Sequence, residues 1–420
     1  MFNQGLSLDQ APPIEVVLRF FLTIPLFGFL VSISIFGADL EYILIWDTPK
    51  TVATVHLFLL GIAGMAMIGA LFQMLPVIAG ATIKNPLFYS KWVHIFMVFG
   101  VLMLSSAFYF ERFFLLHPAL ALLLTSLLFI SLLMFFKLLR VENKTASVKG
   151  MIITLSTFVF GLLFALLLTL VFMGIDIGLT ILDLRSIHIH FMLFGWISIL
   201  IMAVSFQVIE MFYVTLLYPN LISKWLPLSI FIILILQIPF YIIDKGIVAI
   251  LDILIGSLLL IFATITLRRL NQRKRPVADT TVWLWKTGLI VLSVSIVLFF
   301  ISKLTGLSSF FNFSAILFGY FVISIIFAMS YKIVPFLVWF HLNAKGVLET
   351  PMMGDIIQTQ RTKWHLYLHW LLLINLSLAI FFPFFWKLTA LVFMVESILF
   401  GANLFSAAKI YNSLKDKGLL

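Results

Sequence analysis

Three stretches of the chain repeat one another: His56–Gly80 (HLFLLGIAGMAMIGALFQMLPVIAG), His190–Thr215 (HFMLFGWISILIMAVSFQVIEMFYVT) and Ala315–Phe340 (AILFGYFVISIIFAMSYKIVPFLVWF). Aligned on their first residues, they bring Gln73, Gln207 and Lys332 to one register 17 positions later, and Pro76, Glu210 and Pro335 three positions beyond that. A Lys-Trp pair then opens the next apolar run each time, at Lys91-Trp92, Lys224-Trp225 and Lys363-Trp364. An internal repeat sets architecture before any single residue is interpreted. Two copies begin with histidine and the third with alanine.

The composition around these repeats belongs to a membrane protein. Hydrophobic residues make up 63% of the 420-residue chain and charged residues 10%, against roughly 45–50% and about 25% in soluble domains. Runs of about 18 or more apolar residues can cross a bilayer, and such runs follow one another almost end to end. They lack the apolar–polar alternation of barrel strands. Backbone groups in lipid must bond internally, so the runs are read as helices. The expected fold is all-α and polytopic, with twelve transmembrane helices centred near 14–37, 52–79, 92–110, 117–138, 150–174, 187–214, 224–243, 246–267, 283–303, 311–339, 364–384 and 387–409. The repeats fall on helices 2, 6 and 10. The chain therefore reads as one transmembrane domain, 1–420, made of three pseudo-symmetric four-helix units (about 14–138, 150–267 and 283–409). Gly61, Gly64, Gly69, Gly195 and Gly319 are read as points of close helix approach.

Charge orients the bundle. With the N-terminus inside, 21 of the 27 lysines and arginines are cytoplasmic, and Lys50, Arg112, Arg185, Lys245, Lys303 and Lys387 lie outside. That asymmetry follows the positive-inside rule. It implies a multi-pass inner-membrane protein with both termini cytoplasmic. The net charge of +10 is accounted for by basic helix ends meeting anionic headgroups. It calls for no nucleic acid, and the Arg268–Arg275 cluster reads as a topology anchor. The chain has no cysteine, which excludes disulfides and thiolate chemistry. Its first residues, MFNQGLSLDQAPP, lack the basic n-region and cleavage site of a signal peptide. No P-loop, dinucleotide fingerprint or nucleophile elbow occurs.

Ionisable groups in a membrane are costly and are candidates for function. Helix topology places His56, His117, His188 and His190 near the outer face, and His94, His341, His365 and His369 near the inner face. His56 and His190 share a repeat position and a depth, and they lead as ligands for haem or a metal. His188 and His190 point about 200° apart on a helix, so they address two neighbouring sites. His117 precedes Pro118 at a helix start and is a further candidate. His365 and His369, spaced i, i+4, share a face and form an alternative inner metal site. Glu210 and Glu396 are candidates for proton transfer, and Asp252 is a third carboxylate at membrane depth. Lys332 is expected to snorkel to the inner interface.

Twelve helices in three units, with outer-half histidines on helices 2 and 6, resemble the catalytic subunit of the haem–copper oxidases. GALFQMLPVIAG and SYKIVPFLVWFHL look like signatures of its divergent, stand-alone members, including the NnrS-like proteins linked to nitric oxide stress. The resemblance covers the whole chain in topology and a few positions in motif. It implies that His56 matches the helix-2 ligand of the low-spin haem, and that His190 or His188 matches the helix-6 copper ligand. Departures accompany it. The family's helix-10 histidines are absent from FNFSAILFGYF, and its helix-7 histidines and tyrosine are absent from SKWLPLSIFIILILQ. The standard oxygen-reducing ligand set is therefore incomplete, and any enzyme activity would be that of an oxidoreductase lacking it. One haem, held by His56 with His188, His190 or His117, is compatible with the sequence.

The resulting expectation is a haem-binding membrane protein, with copper or another metal as a second cofactor, in redox or nitric oxide-related chemistry or cofactor handling. An electron donor or a further membrane subunit would be its partner. Two alternatives stand beside it: a proton-coupled transporter or metal permease without haem, and a non-catalytic assembly partner.

Overall fold

The computed structural model of the chain describes residues 8–275 and 277–416; Lys417, one of the cations assigned above to the cytoplasm, lies outside them. The described residues form helices and no strand. Eleven helices are long and apolar enough to cross a membrane: α1 (Ile14–Phe36), α2 (Pro49–Ala79), α3 (Pro86–Tyr109), α4 (Phe113–Leu139), α5 (Ala146–Phe172), α6 (Ile181–Tyr213), α7 (Asn220–Ile243), α8 (Lys245–Asn271), α9 (Thr280–Thr305), α10 (Ser308–Ala344) and, last in the chain, α12 (Phe384–Asp416). The protein is an all-α multi-pass membrane protein. The expected twelfth span corresponds to α11 (Thr359–Ala379), a helix of 21 residues. At 1.5 Å per residue it has roughly the length of a bilayer core, but it falls short in apolarity. His365, His369 and Asn375 dilute it, and all three lie on its buried stripe.

α1 is broken after its second turn. Its helical pieces are Ile14–Phe21 and Ile24–Phe36. Pro25 has no N–H for the ladder, and Thr23 turns its hydroxyl to the Arg19 carbonyl at 2.7 Å and to His94 Nε2 at 2.7 Å.

α2, α6 and α10 are the longest spans, at 31, 33 and 37 residues. They run parallel around a common axis. One small apolar pocket is lined by Ala66, Met67 and Ala70 of α2, by Leu200, Ile201 and Val204 of α6, and by Ile325, Ile326 and Met329 of α10. These are equivalent positions of the sequence repeat. A second is lined the same way by Met74, Val77 and Ile78, by Val208, Met211 and Phe212, and by Ile333, Phe336 and Leu337. The repeat therefore describes which faces meet at the axis. Around these three, neighbouring helices pack in sequence, α4 against α5 and α8 against α9, and α12 returns to pack on α1. The end of the bundle where α2, α6 and α10 begin is called the histidine end below; the end beside Lys332 is the lysine end.

Glycines set several of the close contacts. A Cβ on Gly61 would stand 2.3 Å from the Phe27 ring of α1, one on Gly69 would stand 2.7 Å from Phe20, and one on Gly195 would stand 2.6 Å from Thr157 of α5. Gly64 is less crowded. Gly319, expected to mediate a close approach, does not: its Cβ would meet only Phe58, at 3.8 Å. The two helices stand apart there.

These differences give a test. Gly61→Val should push α1 from α2 and cost about 1–3 kcal/mol, the range for overpacking a dense core. It should appear as a lower melting temperature of the detergent-solubilised protein, whereas Gly319→Ala should melt within a degree or two of the parent.

Candidate functional site

Both histidine-bearing repeats depart from regular α-helix directly after the histidine. Leu57–Gly64 and Phe191–Ser198 are π-helical, and α10 has no such segment at the same register. π-Turns inside α-helices occur frequently at functional sites. In this half of the bundle the three axial helices keep accessible surface at Phe58, Leu59, Leu60, Met192, Leu193, Phe194, Ile316, Leu317 and Gly319. Further along, Met65–Leu75, Ile197–Ala203 and Tyr320–Pro335 are almost wholly buried.

His56 on α2 and His188 on α6 both lie in this half of the bundle. His56 Nδ1–H donates to the Val52 carbonyl at 2.8 Å, and His188 Nδ1–H donates to the Gly161 carbonyl of α5 at 2.9 Å. A carbonyl only accepts, so each Nδ1 carries the proton and each Nε2 of a neutral ring presents its lone pair. Neither Nε2 has a hydrogen-bond partner among the described residues, and both side chains keep accessible surface. The two imidazoles are close enough for a charge on one to be felt by the other. A backbone carbonyl on one ring nitrogen is how a ligating imidazole is usually oriented, since it fixes the tautomer and raises the basicity of the other nitrogen.

His190 shares the repeat register of His56 but turns away from it. Its Nδ1 donates to the Ser186 carbonyl at 2.7 Å and lies 3.0 Å from the Tyr241 hydroxyl, and its Nε2 joins Asp252 Oδ1 at 2.8 Å. Gln237 Nε2 donates to the same oxygen at 2.8 Å, and Lys303 Nζ donates to Asp252 Oδ2 at 2.7 Å. Neither ring nitrogen of His190 is left for a cofactor. His190, expected from the repeat to stand with His56, thus has polar partners on both nitrogens, whereas His56 and His188 each have one on Nδ1 alone. The reason lies in the neighbours: α7 and α8 supply Gln237, Tyr241 and Asp252, while α3 and α4 carry no carboxylate. His188 and His190 do serve two separate sites, as their spacing requires.

A second polar cluster lies among α10, α11 and α12. His369 Nδ1 is 2.8 Å from Glu396 Oε1, and His369 Nε2 is 2.7 Å from Ser324 Oγ. His365 Nε2 stands 3.6 Å from the same Glu396 oxygen. All three ionisable side chains are 0% exposed. The inner histidine pair and the carboxylate singled out separately in the sequence therefore form one site.

The remaining expectations separate. His117 is exposed at the start of α4 and is not brought to His56. Glu210 accepts from the Tyr218 backbone N–H at 2.7 Å and secures the α6–α7 turn. Lys332 is buried along its stem and extends to Asp279, at 2.5 Å, whose half-exposed carboxylate caps the start of α9. Among the described residues no group of three or more His, Cys, Asp or Glu side chains could hold a metal ion. A copper site on His188 and His190, or on His365 and His369, thus lacks a third protein ligand of these types. Sequence reasoning missed Lys303, Gln237, Tyr241 and Ser324 as site residues. For Lys303 the signal was a cation counted as a loop residue, within reach of a carboxylate at membrane depth. For the neutral three there was none.

No protein-family model matches the chain, and no curated protein matches it.

Removing one member of a buried charged network leaves the others unpaired, at about 3–5 kcal/mol. Asp252→Ala should therefore lower the melting temperature strongly, and more than Lys303→Ala, because Lys303 reaches partly into the open. At the lysine end, burial pushes the Asp279 carboxyl up, and Lys332 outweighs this to hold it below its ordinary value of 3.8. The pair therefore contributes fully above that pH and is lost as pH falls through the depressed value. Acidification from about pH 5 to about pH 3 should lower the melting temperature further in the parent than in Lys332→Met.

Proposed function

We propose that the protein binds one haem between His56 and His188 in the half of the membrane nearer the histidine end, and uses it for electron transfer. One observation carries the reading: two neighbouring imidazoles with Nδ1–H held by backbone carbonyls and Nε2 unpartnered, in the open half of the axis. Haem suits this arrangement better than copper. The macrocycle supplies four of the iron's ligands, so two protein nitrogens suffice, whereas a bare metal ion needs more. Held by both His56 and His188, the group would leave no position for a small ligand and would supply electron transfer rather than nitric oxide or oxygen chemistry. When bound, the group would supply a one-electron couple.

The chain's own residues shape that couple. The Val52 and Gly161 carbonyls fix the planes and tautomers of the two rings. Phe58, Leu59, Leu60, Met192 and Leu193 offer apolar walls that keep water out. The Asp252–Lys303 pair holds His190, two residues from His188 on α6. In this reading the chain is three units of four helices around the α2–α6–α10 axis, in the manner of a haem–copper oxidase subunit I. His188 on α6 supplies the second haem ligand that the family takes from helix 10. The charge asymmetry of the sequence supports an orientation with the histidine end on the outer side of an inner membrane, where an electron donor or partner subunit would reach it.

The test is an optical spectrum of the full chain purified in mild detergent, with haemin added if needed. The expected result is a Soret band, a sharp α-band on reduction and about one haem per chain. His56→Ala and His188→Ala should each lose most of it, and His190→Asn should keep it. A folded parent that neither carries haem nor takes up haemin would end the reading.

A further inference from the structure

We infer that His365, His369 and Glu396 form a proton relay within the membrane, at the meeting of α10, α11 and α12. The inference rests on these residues alone and requires no haem.

The hydrogen-bond pattern leaves a proton between His369 and Glu396. Ser324 is in mid-helix, and its Oγ–H donates to the Tyr320 carbonyl at 2.6 Å, a common use of a helical serine. Oγ is then the acceptor for His369 Nε2–H, at 2.7 Å. Of a neutral His369 ring, Nδ1 is therefore the nitrogen without a proton, and it faces Glu396 Oε1 at 2.8 Å. Two lone pairs at that separation need a proton between them. The site is dry, and two opposite charges there would both lose their hydration, so the proton rests on Glu396.

Three buried atoms of the cluster have no partner among the described residues: His365 Nδ1, His365 Nε2 and Glu396 Oε2. A neutral His365 ring already carries a proton on one of its nitrogens, so its other nitrogen and Glu396 Oε2 are the places to which the proton can go. One carboxyl and two imidazoles sharing one proton have no net charge wherever it sits. On Glu396 it leaves both rings neutral; on His369 or His365 it makes an imidazolium balanced by the carboxylate. Each hop breaks one O–H or N–H bond and forms another. No net charge enters or leaves the low-dielectric site.

The cluster also has two ends. The Tyr320 ring stacks on His369 at 4.2 Å, and its hydroxyl donates to the His369 carbonyl. The Tyr331 ring lies edge-on to His365 at 5.3 Å, and its hydroxyl accepts from Asn403 Nδ2 at 2.9 Å. Tyr331 and Asn403 lie on the lysine-end side of the cluster, adjoining Lys332. His369 is ten residues into α11, about 15 Å along the helix. The relay therefore reaches from the lysine-end side toward mid-membrane. A metal ion fits less well, because both His369 nitrogens are engaged and no group of three metal-holding side chains is found among the described residues.

Infrared spectroscopy of the purified full chain, in H₂O and after exchange into D₂O, tests this. The expected result is a carbonyl-stretch band of a protonated carboxylic acid that shifts in D₂O, disappears completely in Glu396→Gln, and changes frequency in His369→Gln. Asp252→Asn should leave it in place. Circular dichroism establishes that each variant is folded, and if Glu396→Gln is not, the frequency change in His369→Gln decides. No such band in the parent, a band that survives Glu396→Gln, or one that never shifts in D₂O would overturn the inference. So would one equivalent of metal that is lost in His365→Ala.

Discussion

An imidazole inside a bilayer has two nitrogens and no water to satisfy either. Each nitrogen must find a protein partner, hold a proton that another group needs, or wait for a ligand. That constraint sorts five histidines of the bundle. His190 has both nitrogens taken and joins a charged structural network. His56 and His188 each have one nitrogen taken by a carbonyl and one without a partner. His369 is held on both sides, and His365, beside it, on neither. The same side chain thus has three different chemical standings within one bundle, and the backbone and its polar neighbours decide which.

The repeat explains why these standings differ between units. Equivalent residues of α2, α6 and α10 face the axis, so the apolar pattern is kept in all three. The polar positions are not. The register that holds Gln73 in the first unit and Gln207 in the second holds Lys332 in the third, where the ammonium leaves the axis for Asp279. The register of His56 is filled by His190 and then by Ala315. A bilayer tolerates such divergence only where each new polar group comes with its partner, as Asp252 does with Lys303 and Glu396 with His369.

Much of the fold was legible because membrane helices announce themselves by composition, and eleven of the twelve expected spans meet that standard. The twelfth, α11, was legible as a helix and is the least apolar for the same reason that it matters: His365 and His369 lie on it. The π-helical segments were not legible, since nothing in Leu57–Gly64 or Phe191–Ser198 distinguishes a π-turn from an α-turn. The helix that carries each site histidine could be read from the sequence; the directions of their rings could not. Ring direction depends on long-range partners such as Gly161 on α5 and Asp252 on α8, and one sequence does not say which helices lie side by side.

The return of α12 onto α1 has a consequence for how the chain is strung. Lys415 near the end of α12 lies 3.5 Å from Glu15 near the start of α1, so the first and last helices finish as neighbours on the same side of the bundle. The order of the helices along the polypeptide is then a matter of where the chain happens to be cut. A circular permutant that begins at α5 or α9, with α12 spliced to α1, would keep every helix beside its present neighbours.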